Sequence, residues 1–286
     1  MSQPLAPAAP PVEVGGDTAT APLVVKLGGD VVEGAALDVV AADLRAVWQS
    51  GAALIVVHGG GPQATQLSQR LGLTPRLVGG RRITDEPTLD VMKMVVSGRL
   101  NVDLVAALRG VGVPAVGLSG TSGIVRAHRR PPKVVAGGGA APVDFGLVGD
   151  VVGFDLTLLK MLLGARLCPV LACLGITDAG AVLNINADIV ASQLAGAVGA
   201  RALVAVTAVG GVRRDRADPA TRMARLTVDE ARAAIASGAV QGGMIPKLEE
   251  AFAPLACGVP AVHIVAPGEI ARALAAPGQV GTLLVR

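Results

Sequence analysis

Short runs of aliphatic and β-branched residues recur along the chain, and each ends in glycine or a polar turn. "PLVVKLGG" at 22–29 and "ALIVVHGGG" at 53–61 read as strands running into glycine, with further strands predicted at 113–118, 167–173, 202–206 and 261–265. Between the first two, Val40, Leu44, Val47 and Trp48 fall at i, i+4, i+7 and i+8, one face of a helix, and Gly51 follows as its stop signal. A second long helix is predicted from near Pro87, with Leu89, Met92, Val96, Leu100 and Leu104 along one side; others are predicted over 187–198 and 246–257. This alternation predicts an α/β fold with a mainly parallel central sheet sandwiched by helices. The region 121–153, rich in Gly, Pro and short strand-like pieces, predicts hairpins laid over an edge or a site. In such sheets ligands bind beyond the carboxyl ends of the strands, where both glycine loops sit.

Composition narrows the classes. At 286 residues the chain can bury a full core, as one large domain or two lobes. The longest uncharged stretch, 46–69, contains Gln, Ser and several glycines and does not read as a membrane span. Residues 1–21 are Ala/Pro-rich (Pro4, Pro7, Pro10, Pro11) and carry no Lys or Arg, so they read as a disordered tail without a secretory signal, which favours the cytoplasm. A net charge of +3 with no Tyr, one Trp and three Phe leaves little for a stacking nucleic-acid surface. "RRPP" at 129–132 and "RRDR" at 213–216 read as solvated loops, with an anion contact as the lesser alternative. Cys168 and Cys173 fall on opposite faces of a strand, where core packing outweighs a metal or redox role. His58, His128 and His263 lie far apart without a ligand spacing, so no protein-held metal site is predicted.

No Walker A pattern, no GxGxxG between strand and helix, and no GxSxG elbow occurs. Four separated stretches carry the chemistry instead. "VVKLGG" puts Lys26 at a strand end before a glycine pair; "HGGGP" puts a second glycine loop before a helix. "NINAD" at 184–188 and "GGMIPK" at 242–247 place polar groups and a lysine at helix starts. Free amides of glycine loops at helix N-termini make anion sites, and lysine adds a point charge. Of 25 basic residues only five are Lys, and two of these, Lys26 and Lys247, lie beside such turns. Each stretch alone has a plainer reading; Asp188, for example, could simply cap its helix. It is the four in this order that point to a functional, anion-binding site.

With "GGRRITD", "VMKMVVSGRLN", "GLVGDV", "GITDAGAVLNINADIVA" and "GVPAVHIV" added, the chain over 22–286 resembles the amino-acid kinase superfamily, and within it the N-acetylglutamate kinases. The resemblance implies transfer of the ATP γ-phosphoryl group, with Mg²⁺, to the side-chain carboxylate of N-acetyl-L-glutamate in arginine synthesis. It implies two lobes: 22–182 binding the acyl substrate and forming the interface of a homodimer, and 183–286 binding nucleotide. Lys26 and Lys247 would stabilise the transition state and Asp188 would position both. Gly60, Gly61, Arg82 and Asn184 would bind the acyl substrate, and Gly28 and Gly29 the transferring group. Ala208, Val209, Gly210, Gly211, Val212 and Arg213, with Ala239, Val240 and Gln241, would lie against the nucleotide.

The chemistry fits a carboxylate nucleophile, already ionised near neutrality with an ordinary pKa of about 4.3, so no general base is required. Positioning and charge neutralisation must carry the reaction. Ala208 stands where the family usually has Asp, and altered nucleotide affinity is expected from it; Ser122 and "VAPGE" after His263 are further departures. The Pro-rich start replaces the N-terminal helix of arginine-inhibited hexamers, so a homodimer without strong arginine inhibition is expected. No nucleic acid or membrane partner is expected, and nothing in the sequence indicates a nitrogen-signalling partner. Two alternatives are a kinase for aminoadipate or glutamate linked to an acidic carrier protein, and a non-catalytic sensor of the same fold. Retention of Gly61 and Pro62 speaks against the first; Lys26, Asp188 and Lys247 together speak against the second.

Overall fold

The computed structural model describes residues 21–135, 139, 141–215, 218–240 and 244–286. Nearly all of the Ala/Pro-rich tail therefore lies outside the described residues, as does Gln241.

The first strand, β1 (Leu23–Leu27), is followed by α1 (Gly34–Gln49), β2 (Leu54–His58) and α2 (Gly61–Arg70). A small hairpin, β3 (Leu77–Val78) and β4 (Arg81–Arg82), leads into one continuous helical segment: α3 (Glu86–Met92), a π-helical stretch Lys93–Leu100, and α4 (Asn101–Gly110). Then come β5 (Ala115–Ser119), β6 (Val125–Arg129), β7 (Gly149–Phe154), α5 (Thr157–Gly164), β8 (Cys168–Ala172), β9 (Leu174–Ile176), β10 (Val182–Asn184) and α6 (Ala187–Ala197). The chain closes with β11 (Ala202–Val206), β12 (Arg225–Thr227), α7 (Val228–Ala236), α8 (Met244–Ala256), β13 (Ala261–Val265), α9 (Ile270–Ala275) and β14 (Thr282–Val285).

Eight strands form the central sheet in the order β12-β14-β13-β11-β1-β2-β8-β5. Its neighbours are parallel except β13 and β14. Because side chains alternate across a strand, each strand feeds two cores. Leu23, Val25 and Leu27 join the core under α1, the α3–α4 segment and α9, while Val24 joins the core under α5, α6, α7 and α8. Lys26 shares the Val24 face, where it breaks the apolar run at the sheet's carboxyl edge. Cys168 and Cys173 sit in opposite cores as the spacing requires, and burial pushes both thiols up to about 12.

The predicted strand 202–206 and helices 187–198 and 246–257 are present within two residues of their expected limits. The 121–153 region supplies β6 and β7, antiparallel within a four-stranded sheet of order β10-β9-β6-β7. One element differs in kind. The helix from Pro87 keeps its whole predicted stripe buried, Leu89, Met92, Val96, Leu100 and Leu104, but its middle is π rather than α. A four-residue step overshoots an α-helical turn by about 40° and falls short of the wider π turn, so a mixture of the two keeps the stripe from drifting off one face. Among the described residues no helix is long and apolar enough to cross a membrane.

Candidate functional site

β1 and β2 are parallel neighbours with Leu27 beside His58, so the two glycine loops leave the sheet side by side. They touch: a Cβ built on Gly29 would lie 2.7 Å from Pro62 Cδ and 3.4 Å from the Gly61 nitrogen. The three glycines after His58 differ in what surrounds them. A Cβ on Gly59 would make ordinary contact with Ala187, 3.4 Å away. On Gly60 it would run into the helical core, 2.5 Å from Leu100 Cδ1 and 2.9 Å from Val96 Cγ1. On Gly61 it would meet nothing within 4 Å.

His58 anchors this loop from below. It is fully buried, its Nδ1–H donates to the Gly59 carbonyl at 3.1 Å, and Nε2 accepts from Asn101 Nδ2 at 3.0 Å. Asn101 in turn donates to the Val170 carbonyl at 3.0 Å. Burial lowers the imidazole pKa to about 4, so the ring is neutral at neutral pH and both nitrogens serve as structural tethers.

Lys26 Nζ lies 2.5 Å from Asp188 Oδ1, both side chains largely buried. Asp188 is not the cap of α6. Asn186 does that, its Oδ1 accepting from the Asp188 amide at 2.7 Å, which frees the aspartate side chain for the lysine. Arg82 reaches over from β4: Nη2 donates to the Gly61 carbonyl at 2.9 Å and to Thr65 Oγ1 at 2.7 Å. Its Nη1 is buried without a partner, no carboxylate among the described residues pairs with it, and burial lowers the guanidinium pKa from its ordinary value. A buried donor left unpaired costs about 1–3 kcal/mol. Asn184, at the end of β10, donates from Nδ2 to Thr84 Oγ1 at 3.1 Å.

These groups line one cavity of about 560 Å³: Lys26, Gly28, Gly29, Gly60, Gly61, Arg82, Asn184 and Asp188 all face it. Arg81 and Arg130 add positive charge to the wall. Arg130 corrects the solvated reading of "RRPP": it is 4% exposed, with Nε and Nη2 both on Asp150 Oδ1 at 2.9 and 2.7 Å. The pattern Arg-Arg-Pro-Pro says nothing of burial, and the partner Asp150 is brought in only by the β6–β7 pairing. Asn186, Thr65 and Gln63 also matter here and carried no assignment from sequence. Lys247 sits in the first turn of α8, its side chain outside what the structure describes.

The expected nucleotide segment Ala208–Arg213 forms the turn after β11 and lines a different part of the same edge. The Ala208 amide donates to Asp30 Oδ2 at 3.1 Å, tying this turn to the loop after β1. Gly210 and Gly211 have φ of +63° and +106°, the left-handed region that favours glycine. The Val212 amide donates to Thr282 Oγ1 at 2.8 Å, and the Val212 and Val240 side chains are fully buried in the core. Any contact these two valines make with a ligand must therefore use backbone. Ala239, beside Val240, packs half-buried on the same core.

The wall thus offers cations and backbone amides, with Asp188 and Glu250 as its carboxylates. Among the described residues no group of three His, Cys, Asp or Glu could hold a metal ion. Such a lining can accept a polyanion and neutralise it.

A model of the amino acid kinase family matches residues 21–266. An acetylglutamate kinase from Sorangium cellulosum is 57% identical over 272 residues, spanning 94% of this chain and 96% of that protein. One from Methanococcus maripaludis is 39% identical, spanning 92% of each. Among solved structures, an N-acetylglutamate synthase from Neisseria gonorrhoeae complexed with coenzyme A and N-acetyl-glutamate superposes with a TM-score of 0.78 at 27% identity, over 93% of this chain and 60% of that one.

Proposed function

The chain belongs to the amino acid kinase family, and we propose that it transfers the γ-phosphoryl group of ATP to the side-chain carboxylate of N-acetyl-L-glutamate, an acetylglutamate kinase activity serving arginine biosynthesis. The observation that carries this at the site is Arg82, which lines a cavity walled by cations beside the two glycine loops. A free carboxylate on the substrate suits the planar fork of donors that a guanidinium presents.

The reaction then needs no proton transfer. A side-chain carboxylate oxygen attacks the γ-phosphorus, the bond to the β,γ-bridging oxygen breaks, and ADP leaves with the electron pair. The acyl phosphate and ADP balance the charge of the reactants. What the protein must do is hold two anions in line and neutralise charge as it develops. Lys26, fixed by Asp188, supplies positive charge at the sheet edge; Gly28, Gly29 and Gly61 offer backbone that no side chain shields; Asn184 and Arg82 orient the acyl substrate. Lys247 is assigned the second stabilising charge, and the 208–213 turn with 239–241 the nucleotide. Mg²⁺ enters as part of the substrate, MgATP: the carboxylates at the wall are too few for a cage, and this ion is commonly bound through phosphates and water. On this reading the division falls between an acyl-binding lobe over 22–182 and a nucleotide lobe over 183–286. Strand β5, at the sheet edge, with the exposed Met94 and Val102 on the helix packed beside it, supports a homodimer, which light scattering would test.

The deciding experiment traps the acyl phosphate with hydroxylamine in the presence of MgATP, comparing N-acetylglutamate with glutamate, aspartate and carbamate. Hydroxamate from N-acetylglutamate in excess over the others is expected; none from it refutes the reading. Ala208→Asp tests the nucleotide assignment separately: an unchanged ATP titration would remove position 208 from that set.

A further inference from the structure

Gln63, the residue after "HGGGP", does not line the cavity, yet it is only 6% exposed. Its Nε2 donates to the Gly29 carbonyl at 2.6 Å and to Glu33 Oε2 at 2.6 Å. Both partners are acceptors, so the amide orientation is fixed; flipped, it would set oxygen against oxygen. The other side of Glu33 pairs with Arg99, which belongs to the π-helical stretch. Gln63 Oε1 is buried without a partner, a cost that an apolar side chain would avoid. Something other than packing accounts for the amide.

What it does is join loops. Gly61 opens α2 and holds Arg82 through its carbonyl. Two residues on, Gln63 grips the carbonyl of Gly29, and because the peptide is planar this fixes the Gly29–Asp30 unit. Asp30 then accepts from the Ala208 amide at 3.1 Å. One line of hydrogen bonds therefore runs from the acyl-side loop, through the loop after β1, to the turn after β11.

We propose that Gln63 is a positioning residue that sets the offset between the two glycine loops, braced by Glu33 and Arg99. The proposal rests on the kinase reading above. In-line transfer requires reacting atoms about 3–3.5 Å apart, and in this fold the acceptor and the phosphoryl group are held by different loops. An error in the offset between loops enters that distance directly. Each loop keeps its own ligand-binding groups, so the loss falls on kcat and spares KM.

The test uses the full chain, MgATP and N-acetylglutamate, with hydroxamate as readout. Gln63→Leu keeps the volume and removes the donors; kcat is expected to fall fivefold or more, with both KM values within threefold and the melting temperature within a few degrees. Glu33→Leu is expected to lower kcat in the same manner, and Glu33→Gln, which keeps an acceptor facing Gln63, to recover most of it. A kcat loss under fivefold for Gln63→Leu, or a KM that rises in proportion, overturns the proposal. Should Gln63→Leu fail to fold, the Glu33 pair decides: equal behaviour of Leu and Gln there overturns it too. If the unaltered protein makes no hydroxamate, the kinase reading itself has failed and this one falls with it.

Discussion

Adjacent glycines in "HGGGP" should answer the same substitution in opposite ways. At Gly60 the added methyl points into the helical core, 2.5 Å from Leu100 Cδ1 and 2.9 Å from Val96 Cγ1. Neither neighbour can retreat cheaply: both are fully buried, and valine on a helix has little χ1 freedom. Overpacking of this kind costs about 1–3 kcal/mol, while replacing glycine returns about 0.4–1 kcal/mol by restricting the unfolded chain. The left-handed φ that favours glycine is not in play, since φ at Gly60 is 175°. A net loss of about 1–2 kcal/mol follows for Gly60→Ala, or a melting temperature lower by about 2–6 °C for a chain of this size.

At Gly61, the first position of α2 and part of the cavity lining, the methyl meets nothing within 4 Å. Alanine suits a helix better than glycine there, so stability should hold or rise by up to about 1 kcal/mol. Turnover should instead suffer, because the methyl occupies space the acyl or phosphoryl group needs. Thermal unfolding and hydroxamate kinetics on the two variants read the difference. Gly60→Ala with Leu100→Val should regain melting temperature, which no ligand-side account predicts. Gly61→Ala with normal kcat/KM, or Gly60→Ala with unchanged melting temperature, would refute the assignment of the two methyl directions.

Arg82→Lys keeps the charge and loses the fork, and since a charged hydrogen bond contributes about 1.5–3 kcal/mol, the KM for N-acetylglutamate should rise at least tenfold in steady-state kinetics while that for ATP stays near normal. Lys26→Met should lower kcat by about 10²–10³, the usual loss for one preorganised stabilising group, with circular dichroism unchanged. Asp43, 8% exposed on α1, accepts from the amides of Ile270 and Ala271 at 2.6 and 3.0 Å; Asp43→Ala should cost about 1–3 kcal/mol in denaturant unfolding, because two buried donors lose their acceptor. Stability should also fall with acidification below about pH 6.5. Burial holds His58 and His263 down near 4 in the fold, so between about 4 and 6.5 the unfolded chain binds protons that the native state refuses. By pH 5 each contributes about 2 kcal/mol of destabilisation, and a urea midpoint unchanged from pH 7.5 to 5 would count against it.

The parallel sheet was legible because apolar runs with two buried faces leave a strong signal: Leu23, Val24, Val25 and Leu27 need two cores, and only helices on both sides supply them. Lys26 was legible as the polar interruption of that run. Asp188 was ambiguous, since a cap and an ion-pair partner look alike in "NINAD"; the deciding fact is that Asn186 already caps α6. Arg82 stood out through family resemblance and not through pattern, in a chain that writes positive charge mostly as arginine. What singles it out physically, Nη2 bonded to the Gly61 carbonyl and Thr65 Oγ1 with Nη1 buried and unpaired, arises from a hairpin folding onto a distant helix start.

The glycine triplet shows where sequence reasoning stops and why. Three consecutive glycines say that side chains are excluded, and family resemblance turns that into a ligand-binding loop. Yet what a missing Cβ would meet is decided by the helix packed behind the loop, and here that helix has a π-helical middle. The four-residue stripe Met92, Val96, Leu100, Leu104 and the π-helical turn around it bring Val96 and Leu100 against Gly60. All three glycines line the cavity, but only at Gly61 would an added Cβ meet nothing within 4 Å, so only there does packing not account for the missing side chain. The loop therefore carries a packing requirement at its second glycine and open space at its third, where the proposed substrate would lie, with Gln63 fixing its distance from the loop after β1.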